Sequence, residues 1–174
     1  MQLIVFTGLP GTGKSSLAEA VGRELGIPVF AKDWLEATLR RSGIEPTKEL
    51  GYAGYELLTT LAQRQLQLGQ SAILDSVASF ERIRTRWREL AAQYQAQWRV
   101  IECVCSAETA HRARLAARQR DIPGWHELDW AEVERVKSYY ETWQSERLIV
   151  DAVQPFSNNI AVVLSYLGQD RDLS

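Results

Sequence analysis

The chain is poor in the residues that build metal and thiol chemistry. Its 174 residues include two cysteines, two histidines and one methionine. Cys103 and Cys105 sit two apart, which would put them on one face of a strand. That spacing offers neither a disulfide framework nor a four-ligand zinc site, and they read as two buried thiols in a reducing compartment. His111 and His126 have no companions at metal-ligand spacing. Long hydrophobic runs are missing as well, so nothing approaches a membrane span. The apolar run near the N-terminus is too short for a signal peptide. The expectation is a cytoplasmic protein with no membrane partner. Charge of one sign is also lacking: 20 basic against 22 acidic residues leave a net charge of −2. That excludes a global attraction to nucleic acid, though not a local basic groove. No repeat, low-complexity tract or interdomain linker interrupts the chain. A hydrophobic fraction of 45% over this length supports one domain with a full core.

What the chain does have is a phosphate-binding loop. Residues 8–15 read Gly-Leu-Pro-Gly-Thr-Gly-Lys-Ser, a complete G-x-x-x-x-G-K-[ST] pattern. It follows the apolar run Leu3-Ile4-Val5-Phe6 and leads into a helical pattern, the strand–loop–helix context the motif requires. Gly8, Gly11 and Gly13 let the backbone turn sharply and aim N–H groups inward at phosphates. Pro10, Thr12 and Ser16 complete the cofactor-binding stretch. Lys14 supplies a point charge for the β- and γ-phosphates, and the Ser15 hydroxyl can ligate Mg²⁺. The implied cofactors are ATP and Mg²⁺.

Apolar strand-like runs then alternate with helical patterns. Strands are expected at 3–7, 28–31, 71–75, 98–104 and 148–150. Helices are expected at 14–25, 33–41, 47–68, from a Ser79 cap to about 95, from a Ser106 cap to about 118, from an Asp129–Glu132 capping box through Trp143, and from Ser157 to Gly168. Gly26 suits the left-handed position that ends the first helix. The alternation predicts an α/β three-layer sandwich with a five-stranded, mostly parallel sheet. Residues 1–170 form its single domain, a helical lid spans about 114–130, and 171–174 is a tail.

This order of parts resembles the small P-loop kinases, among them phage-type polynucleotide 5′-kinases, gluconate kinase and chloramphenicol phosphotransferase. The likeness runs from about residue 2 to 145. It rests on the phosphate loop, on Lys32-Asp33 after the second strand, on Asp75-Ser76 with Phe80-Glu81-Arg82, and on Arg114 and Arg118, four apart and so on one face of the expected helix, before a lid loop in which Arg120 follows. The resemblance implies that Asp33 is the general base. It implies that one arginine lies near the adenine and another stabilises charge on the transferring phosphoryl group, with Arg114 the candidate for cofactor binding and Arg118 the candidate for catalysis. In polynucleotide 5′-kinases an arginine that binds substrate stands three residues after the catalytic aspartate. Here that position is Glu36, an unfavourable partner for a substrate phosphate.

The residues themselves supply competing readings. Asp33 lies at the C-terminal edge of a parallel strand, where ligands collect, and a carboxylate there can accept an acceptor hydroxyl's proton. Asp33 and Glu36 also fit a D-x-x-E capping box. Asp75 ends an apolar strand and can hold Mg²⁺ or substrate, with Ser76 beside it. Arg82, Arg84, Arg86 and Arg88 form a basic cluster that reads as a solvated helix face or, less readily, as a polynucleotide track. Trp34 and Trp87 read as core or cleft packing. Trp125, His126 and Trp130 either cover an acceptor or pack the lid. The leading expectation is a kinase that transfers the γ-phosphoryl group to a hydroxyl of a small-molecule or nucleoside-like acceptor, working as a monomer or homodimer. Two alternatives stand beside it: a polynucleotide 5′-hydroxyl kinase, and a nucleotide-dependent switch with weak ATPase activity.

Overall fold

The structure, a computed structural model, describes residues 1–45 and 47–168. The tail expected at 171–174 lies outside them. Strands and helices alternate as β1 (Gln2–Thr7), α1 (Lys14–Leu25), β2 (Val29–Ala31), α2 (Lys32–Arg41), α3 (Lys48–Gln67), β3 (Ala72–Asp75), α4 (Glu81–Gln93), β4 (Gln97–Val104), α5 (Glu108–Ala117), α6 (Trp130–Lys137), β5 (Leu148–Asp151) and α7 (Phe156–Gly168). The five strands form one sheet in the order β2-β3-β1-β4-β5, and every pairing is parallel. All five C-terminal ends therefore open on one edge.

The central strand explains the layering. Leu3, Ile4, Val5 and Phe6 are all fully buried because both faces of β1 are covered. Leu3 and Val5 join a core with Leu58, Leu74, Trp87 and Val100, under α3 and α4. Ile4 and Phe6 point the other way, to Leu17, Val21, Ile101 and Val163, under α1 and α7. Each such side chain contributes about 1.5–3 kcal/mol when removed from water. Trp87 also satisfies its indole N–H by donating to Thr59 Oγ1 at 2.9 Å.

Several helix ends differ from expectation. α1 ends on Gly26 at φ 65° as predicted. The Asp129 carboxylate caps α6 by accepting from the Glu132 N–H. Ser79 and Ser106, however, cap nothing: the residues preceding α4 and α5 are Phe80 and Ala107. The Glu81 N–H is instead satisfied from a distance by the Glu141 carboxylate. Asp33 is no cap either, because α2 begins at Lys32 and places Asp33 inside its first turn. α6 stops at Lys137, well short of Trp143, where the Trp143 indole donates to the Tyr140 hydroxyl at 2.9 Å. The lid region is the last turn of α5, an irregular stretch over 118–129, and the start of α6. Trp34 is exposed rather than packed. Cys103 is buried, its thiol pushed up to about 12 by burial, whereas Cys105 is only half-buried.

Candidate nucleotide and acceptor site

The phosphate loop bridges β1 and α1. Gly8, Gly11 and Gly13 adopt φ of 135°, 83° and 84°, a region that costs other residues strain. A Cβ on Gly8 would lie 2.1 Å from the Cys103 carbonyl oxygen, so the loop presses directly on the end of β4. Thr12 Oγ1 donates to the Leu9 carbonyl at 2.8 Å. His111, buried on α5, donates from Nε2 to the Pro10 carbonyl at 2.7 Å, since a carbonyl can only accept. Its ring meets Trp130 edge-on with centroids 5.1 Å apart. His111 thus props the loop, a role that sequence spacing did not reveal.

Lys14 is buried at the head of α1. Burial pulls its ammonium pKa below the usual lysine value, against the opposing fields of Asp75 and Asp33. Ser15 is half-buried and Ser16 exposed. Arg114 Nη2 donates to the Ala152 carbonyl at 2.6 Å. Gly13, Leu17, Arg114, Ala152 and Phe156 line a cleft there between the loop and α7.

The acidic side converges on the same loop. Asp33 would be raised by burial, but Lys14, Arg120 and Lys32 together bring its carboxyl below the ordinary aspartate value. Arg120 forms an ion pair with Asp33 and reaches Ser15 Oγ at 3.4 Å. Asp75 is buried beside Lys14 and Ser15, and burial raises its pKa. Among the described residues, Asp75 Oδ1 and the Ser76 hydroxyl are buried with no hydrogen-bond partner. Buried polar groups left without a partner call for a ligand or solvent. Glu36 is buried against α3, where a Cβ on Gly54 would lie 3.0 Å from its Cγ. It pairs with Lys32, whose ammonium lies 4.6 Å from the Tyr55 ring centroid.

The expected arginine pair separates. Arg114 belongs to α5, but Arg118 follows the helix in extended backbone, so the two share no helix face. Arg118 still lies in the field of Asp33 and Asp75, and burial lowers its pKa. The arginine that touches both Asp33 and Ser15 is Arg120. Sequence placed Arg120 in the lid without distinguishing it from its neighbours. The lid aromatics pack: Arg40 lies 3.0 Å from His126 Nδ1 and 5.1 Å from the Trp125 ring centroid. The arginine cluster on α4 makes no continuous basic track. Arg84 is buried, Arg86 pairs with Glu56, and Arg82 lies over Tyr52.

A family model for the AAA domain AAA_33 matches residues 3–142. The chain belongs to the AAA_33 family. A UPF0200 protein of Aeropyrum pernix is 35% identical over 132 residues, covering 68% of this chain and 65% of that protein. An uncharacterized protein of Mycobacterium tuberculosis is 30% identical over 177 residues, covering 83% of this chain and 35% of its own length. The chain therefore spans less than two thirds of either relative. Among solved structures, a gluconokinase from Sinorhizobium meliloti superposes with a TM-score of 0.73 at 19% identity, covering 99% of this chain and 96% of that one. The Mycobacterium tuberculosis APS kinase in complex with AMPPNP and APS gives a TM-score of 0.63 at 23% identity, covering 95% and 97%. These likenesses show that this AAA_33 member has the fold of small P-loop kinases.

Proposed function

We propose that the protein is an ATP- and Mg²⁺-dependent phosphotransferase that moves the γ-phosphoryl group to a hydroxyl of a small molecule. The observation that carries this reading is the position of Asp33. It stands at the head of α2, within the field of Lys14 and joined through Arg120 to Ser15. A carboxylate held ionised at that place can take the proton from an attacking hydroxyl. A pure nucleotide switch has no use for it.

The residues fit the implied cofactors. The positive-φ glycines leave room for phosphates against the backbone, and Lys14 adds the charge. Gln154 and Phe156, beside Arg114, line the cleft that would take the base. The orphaned Oδ1 of Asp75 and the Ser15 hydroxyl form the oxygen donor set a hard divalent cation takes. Mg²⁺ there would neutralise phosphate charge during transfer. Ser76, whose buried hydroxyl has no partner among the described residues, would bind the acceptor. Arg118 and Arg120 carry the lid's positive charge toward the transferring group.

The acceptor is the finer question. Gluconokinase and APS kinase, by their names, act on small molecules, and the chain shares their fold. The burial of Arg84 and the pairing of Arg86 with Glu56 speak against a continuous polynucleotide track. The test is a screen of small hydroxyl compounds and 5′-hydroxyl oligonucleotides with γ-labelled ATP, using wild type and Asp33→Asn. Transfer to a small compound is expected to fall by about 10²–10⁴-fold in the variant while ATP binding persists. Undiminished transfer by Asp33→Asn would remove the base role. Efficient oligonucleotide labelling would replace the small acceptor.

A further inference from the structure

Arg84 is the most deeply buried charge outside the phosphate loop, with a side chain 1% exposed. Its closest acid, Glu81, stands 3.5 Å away and is itself well exposed. Burying a guanidinium without a tight acid partner is costly, so its hydrogen bonds must account for it. They go to main-chain carbonyls on two separate segments. Nε donates to the Ala78 carbonyl at 2.7 Å, and Nη2 donates to the Glu141 carbonyl at 2.6 Å. The planar head lies 4.1 Å from the Trp143 ring centroid, a favourable cation–π placement.

The first of these segments adjoins the proposed acceptor side. Ala78 sits in the loop that follows Asp75 and Ser76, and it has a φ of 48°, unusual for a residue with a Cβ. A backbone in that region persists when its surroundings over-determine it. Here the Val77 carbonyl accepts from Thr7 Oγ1 at 2.6 Å, Arg84 holds the Ala78 carbonyl, and the Ser79 carbonyl accepts from the Glu141 N–H at 3.0 Å. Glu141 lies in the segment that returns from α6 toward β5. One side chain therefore binds the loop carrying Ser76 to the chain that leaves the lid.

We propose that Arg84 is a positioning residue for the acceptor side: its guanidinium fixes the loop after Asp75-Ser76 against the segment returning from the lid, so that lid movement and acceptor-loop geometry are coupled through it. The functional part of this inference rests on the phosphotransferase reading; the mechanical part does not. A lysine could reach one of the two carbonyls but not bridge both with a rigid fork.

Hydrogen exchange on the full chain tests it, with wild type, Arg84→Lys and Arg84→Met, free and with Mg²⁺ and AMPPNP. In the free protein, the Glu141 and Ser76 amides should exchange at least about tenfold faster in Arg84→Met, with Arg84→Lys between, while β1 amides stay as protected as in wild type. AMPPNP should slow exchange over 118–129 in all three proteins, but at Glu141 in wild type alone. With the acceptor labelled most strongly in the screen, Arg84→Lys should raise the acceptor KM at least about tenfold and leave the ATP KM unchanged. Wild-type exchange at Glu141 in Arg84→Met would overturn the proposal. So would β1 and Glu141 opening together in both variants, which marks a merely structural residue, or an equal rise in both KM values. If AMPPNP alters exchange nowhere in wild type, the phosphotransferase reading fails, and the free-protein comparison still decides the clamp.

Discussion

The two halves of the site are made of different materials. The nucleotide half is main chain: three positive-φ glycines, a carbonyl propped by His111, and a helix start. The proposed acceptor half is side-chain charge under helices: the buried Asp75 and Glu36 with the half-buried Asp33 and Lys32, closed over by Arg120. A main-chain site depends on local backbone geometry that a few residue types dictate. A site of buried charges depends on which distant element brings the counter-charge. The first should lose chemistry when its one charge is removed and keep its fold. The second should lose stability as well, because an unpaired buried charge is expensive.

Lys14→Met tests the first half and carries the largest expected effect. Removing the ammonium should reduce phosphoryl transfer by about 10²–10³-fold, the scale of losing one well-placed electrostatic donor. The fold should not suffer. Burial sets the Lys14 pKa below that of the unfolded chain, 10.5, so the folded state disfavours its charged form. Between the two pKa values the unfolded chain holds more protons, and stability rises with pH across that window. Urea melts from neutral pH to 10.5 should show this slope in wild type and a flatter one in Lys14→Met. A variant that melts much earlier at pH 7 would make Lys14 a structural residue and erase the contrast.

The second half breaks at Lys32 and Glu36. Lys32→Met leaves the Glu36 carboxylate buried beside Gly54 without its partner, at a cost of about 3 kcal/mol. Glu36→Gln removes the buried charge instead and should cost about 1 kcal/mol or less. The pH dependence separates them. Burial raises the Glu36 pKa above 4.5 despite Lys32. The folded state then holds the extra proton just above pH 4.5, and stability falls as pH rises through that window. Lys32→Met should steepen this fall and Glu36→Gln should abolish it. Equal melting curves for the two variants would show that the pair carries no buried charge worth counting.

This division also explains what could be read from the chain. The strand–loop–helix at 2–25, the Gly26 terminator and the Asp129 cap follow from local rules, and the structure has them. The Ser79 and Ser106 caps fail because a remote carboxylate, Glu141, satisfies the start of α4, and because α5 begins after Ala107. The positions of Asp33 and Asp75 at strand ends were legible from the apolar runs that precede them. The burial of Glu36 was not, since it needs the glycines of α3 to pass close to α2. Arg84 looked like one of four solvated arginines, because alternate spacing says nothing about which one faces two carbonyls. Arg120 looked like one of several lid cations for the same reason.

Arg120→Ala tests where the halves meet and should have the smallest effect on stability. Asp33 is the more open partner of the pair, with its side chain 24% exposed against 9% for Arg120, and Lys14 and Lys32 still face it in the variant, so the loss should cost about 1 kcal/mol or less. Its effect on titration should be plain. Asp33 lies below its ordinary value because Lys14 and Arg120 outweigh burial. With Arg120 gone, the opposing field weakens and the Asp33 pKa rises. A general base works in its ionised form, so the acid limb of the pH–rate profile should move to higher pH. The same change shrinks the stability that Asp33 contributes above pH 3.8, which is lost as pH falls. Carboxyl-carbon NMR of Asp33 in the free variant reads the shift directly. An unmoved resonance midpoint, with an unmoved acid limb, would mean that Lys14 alone sets this carboxylate and that the nucleotide half governs the acceptor half without the lid.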